Sequence, residues 1–301
     1  MKFIILKIAW HYCYIGEQIR RKNLWQKFYI NGMKLLCTWI LMLDCNLRKY
    51  FRCRIEPLDD NKNLPIVSFT SFPARIKSVW YVIDSIFYQT MRPKKIILVL
   101  AKDEFPEMLD SIPKSIKRYL DKGLEIMFVD DNLRPHKKYF YTLPLYRNDD
   151  IITIDDDVYY WPDTIERLYK IKKNNPGCIC ANRAFLLEKE NDGLRFSEVS
   201  SKIGLYLWAQ GVGGTLYIPE FRNEQLFDKE KIKQMCLNAD DNWLKVHEIL
   251  TGINVATNGF YPHPISLPGS QKKALWHDNA YKGQSFVITE LLLAHYNINI
   301  K

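Results

Sequence analysis

The chain has 301 residues and a mass of 35.7 kDa, and its 47% hydrophobic and 26% charged content is that of a packed globular protein, with length for one main domain and an appendage. Its net charge of +9 lies wholly in residues 1–55, which hold 11 basic residues against Glu17 and Asp44, while the remainder carries 32 of each sign. That neutral body argues against a nucleic-acid binder, and the absence of GxxxxGK[ST] and GxGxxG excludes the two familiar glycine loops for phosphate.

The N-terminal segment is rich in aromatic residues, among them Trp10, Tyr12, Tyr14, Trp25, Phe28, Tyr29 and Trp39. Its longest uncharged apolar run, Leu35–Leu43, is closed by Asp44 and falls short of the roughly 20 residues a membrane helix needs, so no crossing is expected. Lys7 interrupts the apolar start and no small-residue cleavage site follows, so the expected location is the cytoplasm, including the inner face of the plasma membrane. Trp25, Phe28, Tyr29, Leu36, Ile40 and Leu43 nearly share a helical face, with Lys22, Lys27, Lys34 and Arg48 elsewhere. Such a stripe suits either contact with an anionic membrane surface or packing on the rest of the chain. Gly32 argues against one continuous helix there. We assign residues 1–60 to a helical extension and 61–301 to the main domain. The seven cysteines, Cys13, Cys37, Cys45, Cys53, Cys178, Cys180 and Cys236, form no CxxC pair, which points to reduced thiols.

From Pro65 strands and helices alternate. Pro65–Phe69 reads as a strand, and Thr70–Arg75 as the loop leaving it. Ser78 is placed to cap a helix whose Val79, Val82, Ile83, Ile86 and Phe87 keep helical spacing. Lys95–Leu100 is a second strand, Pro113–Lys122 a helix ended by Gly123, Leu124–Val129 a third strand and Lys137–Tyr146 a further helix. This alternation predicts a parallel sheet with right-handed crossovers.

Ile151-Ile152-Thr153-Ile154 is then a short buried strand that runs straight into Asp155-Asp156-Asp157. In an extended backbone Asp155 and Asp157 share a side, so they can converge on a hard cation, Mn²⁺ or Mg²⁺, with Asp156 turned away. A triplet of this kind can also form a solvated turn or cap the next helix. Its position at the carboxyl end of a strand in a β/α pattern favours the cation site.

After it, Asp163 and Glu166 have capping-box spacing before a helix through Lys173, Cys178–Ala181 is a strand, and Lys189–Ser201 reads as a surface loop beside the site. Gln210–Pro219 is a glycine-rich bend entering a strand, either a close approach to ligand or a tight turn. Asp240 and Asp241 start a helix, where the dipole keeps carboxylates ionised and one of them can cap the helix. A loop at Gln271–Asn279 holds His277, a candidate metal or diphosphate ligand, before a last helix at Ser285–Tyr296.

Ser68–Arg75, Ile152–Asp157, Gly211–Tyr217 and Ala239–Leu244 together give Pro65–Tyr296 a resemblance to GT-A-fold glycosyltransferases, in particular the family 2-like bacterial enzymes of lipopolysaccharide and capsular polysaccharide synthesis. The resemblance implies an α/β fold, a GT-A (Rossmann-like) mostly parallel central sheet flanked by helices. It implies a nucleotide-sugar donor, a glycan or lipid-linked acceptor, and inversion of configuration. By similarity Asp155 and Asp157 are the outer members of a DXD motif holding metal, with Asp156 beside them on the nucleotide. Thr70, Ser71, Pro73 and Arg75 would border the nucleotide, and Asp241, with Asp240 beside it, would match the acceptor-side base. Arg75, Arg134, Lys137 and Lys138 lie near predicted strand ends, within reach of diphosphate oxygens. A sugar nucleotidyltransferase would use the same metal and aspartates, and a non-catalytic glycan- or nucleotide-binding protein would share the pocket without the transfer.

Overall fold

The computed structural model describes residues 7–12, 24–190, 193–199, 201–259, 261–269 and 284–300. Helix α1 (Leu24–Tyr50) runs unbroken through Gly32. The glycine's cost of about 1 kcal/mol relative to alanine is outweighed by packing, for Cys37, Leu41, Met42 and Cys45 of its inner face are buried. That face docks on α2 (Val79–Phe87), where Arg48 donates from Nη1 and Nη2 to the Asp84 carboxylate at 3.1 and 3.0 Å. Asn46 donates to Tyr81 Oη at 2.7 Å, and the Lys49 ammonium lies 4.4 Å from the Trp80 ring centre. The extension therefore packs on the main domain. By length and composition Trp25–Tyr50 is also apolar enough to cross a membrane, contrary to the expectation from Leu35–Leu43. Counting uncharged runs misses this because its charges gather on one side of the helix.

An eight-stranded sheet forms the centre, in the order β3-β2-β1-β4-β11-β6-β12-β9. Its first half is parallel and consists of β1 (Ile66–Thr70), β2 (Lys95–Ala101), β3 (Leu124–Val129) and β4 (Ile151–Thr153). β1, β2 and β4 are apolar runs buried almost throughout on both faces, as a sheet covered by helices requires, whereas the edge strand β3 is fully buried only at Leu124 and Val129. In the second half β6 (Ile179–Ala181) and β12 (Val255–Asn258) keep that direction. β9 (Ser201–Gly204) and β11 (Thr215–Tyr217) oppose it, and β11 is wedged between β4 and β6 with Leu216 opposite both Ile152 and Cys180. The mostly parallel α/β sheet flanked by helices is thus as expected.

Several local expectations change. Pro113–Lys122 forms only single turns at Lys114–Lys117 and Leu120–Lys122, and Gly123 at φ 113° brings its Cα against Leu58, 2.8 Å from where a Cβ would stand. Lys137–Tyr146 splits into turns at Lys137–Phe140 and Thr142–Leu145, since Pro144 has no amide to continue the ladder back to Phe140. Asp163 does not cap α3 (Thr164–Asn174) but accepts from Tyr261 Oη at 2.8 Å, and Ser78 Oγ bonds the Arg75 carbonyl at 2.8 Å. Of the stretch read as a loop at Lys189–Ser201, the described residues are mostly strand: β7 (Ala184–Glu190) and β8 (Gly193–Glu198) pair as a hairpin that also pairs with β10 (Leu207–Ala209), and Ser201 opens β9. Leu187 sits opposite Phe196 and Glu188 opposite Arg195, an alternation that the polar residues near the turn disguise. The six cysteines in the described residues are free thiols.

Candidate active site

The carboxyl ends of β1 and β4 face the N-terminus of α5 (Asp240–Thr251) across a cavity of about 730 Å³. This helix follows α4 (Lys229–Met235) and is gripped by the last helix, α6 (Gln284–His295). Asn242 donates to Ser285 O at 2.8 Å and to Thr289 Oγ1 at 2.9 Å.

β4 ends at Thr153, so the acidic triplet leaves the sheet in a bend and pleat alternation is not what arranges it. Hydrogen bonds arrange it instead. Asp156 accepts from Ser71 Oγ at 2.5 Å and from Arg75 Nη1 at 2.6 Å, which ties it to the loop after β1. Arg75 Nη2 reaches Asp157 Oδ2 at 3.2 Å. The Asp157 carbonyl accepts from Leu267 N at 2.9 Å, next to the pairing of β5 (Val158–Tyr159) with β13 (Ile265–Ser266). Asp155 donates its amide to Tyr160 Oη at 2.8 Å and pairs its carboxylate with Lys138 Nζ at 2.9 Å.

Lys138 joins the two halves of the site. Its ammonium also lies 2.8 Å from Asp240 Oδ2, and its own carbonyl accepts from Ser68 Oγ at 2.6 Å, which fixes this turn on β1. Asp241 Oδ2 accepts from the Gly211 amide at 3.3 Å. A Cβ at Gly211 would stand 2.8 Å from Asp241 Oδ1, so the glycine-rich bend is here a close approach to a carboxylate.

Burial and mutual repulsion set the charges. Burial, with Asp155 beside it, pushes the Asp157 carboxyl up to about 7. Burial, with Asp240 adjacent, pushes Asp241 up to about 8. Burial opposes ionisation of Asp240, but the Lys138 ammonium outweighs it and holds its carboxyl below the ordinary value. For the Lys138 ammonium burial again works against charge, and Asp155, Asp240 and Asp241 overcome it. His136 is buried and neutral, brought down to about 4 chiefly by burial; it lies 2.7 Å from Tyr139 Oη and 2.9 Å from the Cys236 carbonyl.

Thr70, Arg75, Lys138, Asp155, Asp156, Asp157, Asp240 and Asp241 all line the cavity. Ser71 stands behind Asp156, and Pro73 is exposed and does not line it. Lys137 is turned away, 3.3 Å from Glu104 and 3.0 Å from Asn132, because neighbours on a helical turn point about 100° apart and only Lys138 can face the acids. Arg134 is exposed on its positive-φ turn, and His277 lies outside the described residues. Asn182 bonds the Thr164 and Gly213 carbonyls, while Arg183 holds Gln210 Oε1 at 3.0 Å and the Tyr261 carbonyl at 2.6 Å.

The wall away from the acids is aromatic. Phe185, Phe196, Trp208 and Phe286 line it, with Phe196 edge-on to Trp208 at 4.7 Å and 4.8 Å from Phe286. The buried Lys245 holds β10 in place, donating to the Leu207 carbonyl at 2.5 Å while pairing with Glu248. Phe185 and Phe196 escape a reading of the sequence, since their hairpin looks like a loop, and Phe286 escapes because nothing local says that its helix meets them; the spaced Phe185, Leu187, Leu194 and Phe196 are the one signal available.

Five carboxylates face this cavity against two permanent cations, Arg75 and Lys138. Among the described residues no cluster of three or more His, Cys, Asp or Glu has metal-binding geometry. Asp155 and Asp157 both line the cavity, each beside a cation, Lys138 and Arg75, so a divalent ion held by their oxygens would displace those partners and take its other ligands from bound oxygen groups.

No known family matches the sequence, and no curated protein does. Among solved structures, S. aureus TarS residues 1–349 in complex with UDP aligns at TM-score 0.45 and 11% identity over 66% of this chain, and this chain spans 58% of the TarS chain. Apo UDP-glucose pyrophosphorylase aligns at 0.41 and 10% identity, covering 73% of this chain and 97% of that one. For 4-diphosphocytidyl-2C-methyl-D-erythritol synthase the figures are 0.40, 7%, 74% and 99%.

Proposed function

We propose that this chain is a metal-dependent GT-A-type glycosyltransferase. It moves a sugar from a nucleoside diphosphate to a hydroxyl of a growing surface glycan or lipid-linked acceptor, at the cytoplasmic face of a membrane. The observation that carries this reading is the division of the cavity's acids into two groups, Asp155–Asp157 after β4 and Asp240–Asp241 at the head of α5, bridged by one lysine. The first group suits a diphosphate with its cation, and the second suits a hydroxyl that must lose a proton.

In this reading Asp155 and Asp157 hold Mn²⁺ or Mg²⁺, and when bound the ion supplies Lewis-acid neutralisation of the charge on the departing phosphate. Arg75 and Thr70 border the nucleotide side. Arg75 also keeps Asp156 and Asp157 fixed, so the carboxylates are oriented before ligand arrives. Asp241, in its ionised form, takes the proton of the acceptor hydroxyl as that oxygen bonds the anomeric carbon. The anomeric carbon's bond to phosphate breaks on the opposite face, and the nucleoside diphosphate leaves with inversion. Asp240 stays paired with Lys138 and positions its neighbour. The aromatic wall offers ring faces to the apolar side of a sugar.

A screen of nucleotide sugars with Mn²⁺, with and without added glycan acceptors, tests the proposal. Release of a nucleoside diphosphate, lost in Asp155→Ala and in Asp157→Ala, is expected. Release of pyrophosphate instead would make the chain a nucleotidyltransferase, and unchanged Mn²⁺ binding in both variants by titration calorimetry would remove the metal assignment.

A further inference from the structure

We infer that the outer face of α1 lays the protein flat on an anionic lipid bilayer, by partial insertion of its aromatic residues. Trp25, Phe28, Leu36, Trp39, Leu43 and Tyr50 fall on one arc of the helix at its 100° spacing, and their exposure runs from 50% to 81%. Each charged side chain of α1, Lys27, Lys34, Asp44, Arg48 and Lys49, falls outside that arc. The side of the helix that packs on α2 thus carries its charges together with its buried residues, the opposite side is apolar and open, and a continuous open patch of this kind marks an interaction surface.

Charge selects the occupant. All the excess positive charge of the chain lies in residues 1–55, so apposing two copies along this face would bring like charges together. A layer of anionic headgroups instead meets the net positive charge of this segment with opposite charge, while Trp and Tyr rings favour that level of a bilayer. The inner face selects the orientation. α1 is about 40 Å long, more than the hydrocarbon core of about 30 Å. Its C-terminal half, however, is pinned to the body by the buried Arg48–Asp84 pair and the Asn46–Tyr81 bond. A crossing would drag the polar surface of the main domain into lipid, whereas a flat helix buries only its open face. This inference stands on the helix alone and survives if the transfer reaction proves to be another.

Flotation of the full chain with vesicles of equal phosphatidylcholine and phosphatidylglycerol tests it. The wild type is expected in the vesicle fraction, and Trp39→Glu combined with Leu43→Glu should lower partitioning at least about tenfold with an unchanged melting temperature. Lys27→Gln combined with Lys34→Gln, a helix diameter from the lipid, should weaken binding to these vesicles only about twofold in all and leave pure phosphatidylcholine unaffected. A wild-type chain that stays with the soluble fraction overturns the inference. So does a dimer by light scattering that Trp39→Glu splits and that does not float.

Discussion

Lys138 is the residue on which the site turns, since its ammonium is shared between Asp155 and Asp240 and lies close to Asp241. Asp241 carries the sharper functional test. Asp241→Asn is expected to bind donor normally and to transfer 10²- to 10⁴-fold more slowly, the usual worth of a general base, measured as turnover against calorimetric donor affinity. The wild-type rate follows the ionised form of a carboxyl pushed up to about 8, so in free enzyme it rises with pH up to that point and levels off above it. A divalent ion beside Asp155 adds positive charge nearby and draws this limb to lower pH. Gly211→Ala places a methyl 2.8 Å from Asp241 Oδ1, and the displaced carboxylate should lower turnover about a hundredfold while nucleoside diphosphate affinity holds.

At the scale of elements, α1 is held to the body by a buried ion pair, and removing one partner leaves the other charged and dry. Arg48→Met leaves Asp84 beside the uncharged Tyr119, Tyr159 and Cys45 without this guanidinium, and should cost about 3 kcal/mol in urea unfolding. β1 to β4 were legible in the sequence because they are short apolar runs bounded by turns, three of them buried on both faces and β3 at the edge. The triplet and the Asp240–Asp241 helix start were legible because an apolar run ending in three carboxylates, and paired acids opening a helical pattern, can be read locally. The β7–β8 hairpin was not, as its polar outer face dilutes the alternation and its pairing with β10 is long-range. The different fates of Lys137 and Lys138 were not legible either, since which of two adjacent lysines faces the acids depends on how a single turn is pinned to β1 through Ser68. The aromatic wall arises only when the hairpin meets α6, two segments far apart in the chain.

For the whole molecule, pH acts through buried groups of opposite sign. His247 is buried beside Trp243 and Tyr296, its ring nitrogens have no hydrogen-bond partner among the described residues, and burial brings it down to about 3. Below its ordinary value of about 6.5 the unfolded chain takes up a proton that the fold refuses, so this stability is complete above 6.5 and is lost as pH falls toward 3. Asp157 and Asp241 act in the other sense, since the fold keeps their protons up to about 7 and 8 and so loses stability as pH rises toward those values. His247→Phe leaves the carboxyls untouched. Relative to the wild type it should gain about 1.4 kcal/mol for each pH unit below 6.5, read from melting curves at pH 7 and pH 5.

The strand wedged into the middle of the sheet also bears on how the chain comes off the ribosome. β4 has its parallel neighbour as soon as residue 153 emerges, but its other edge waits for residues 215–217 to return and run the opposite way. During that interval a row of unsatisfied amides and carbonyls lies open beside the strand that delivers the acids. Fragments stopping short of Thr215 should therefore precipitate or bind holdase chaperones, while a chain that has passed Tyr217 can seal the gap.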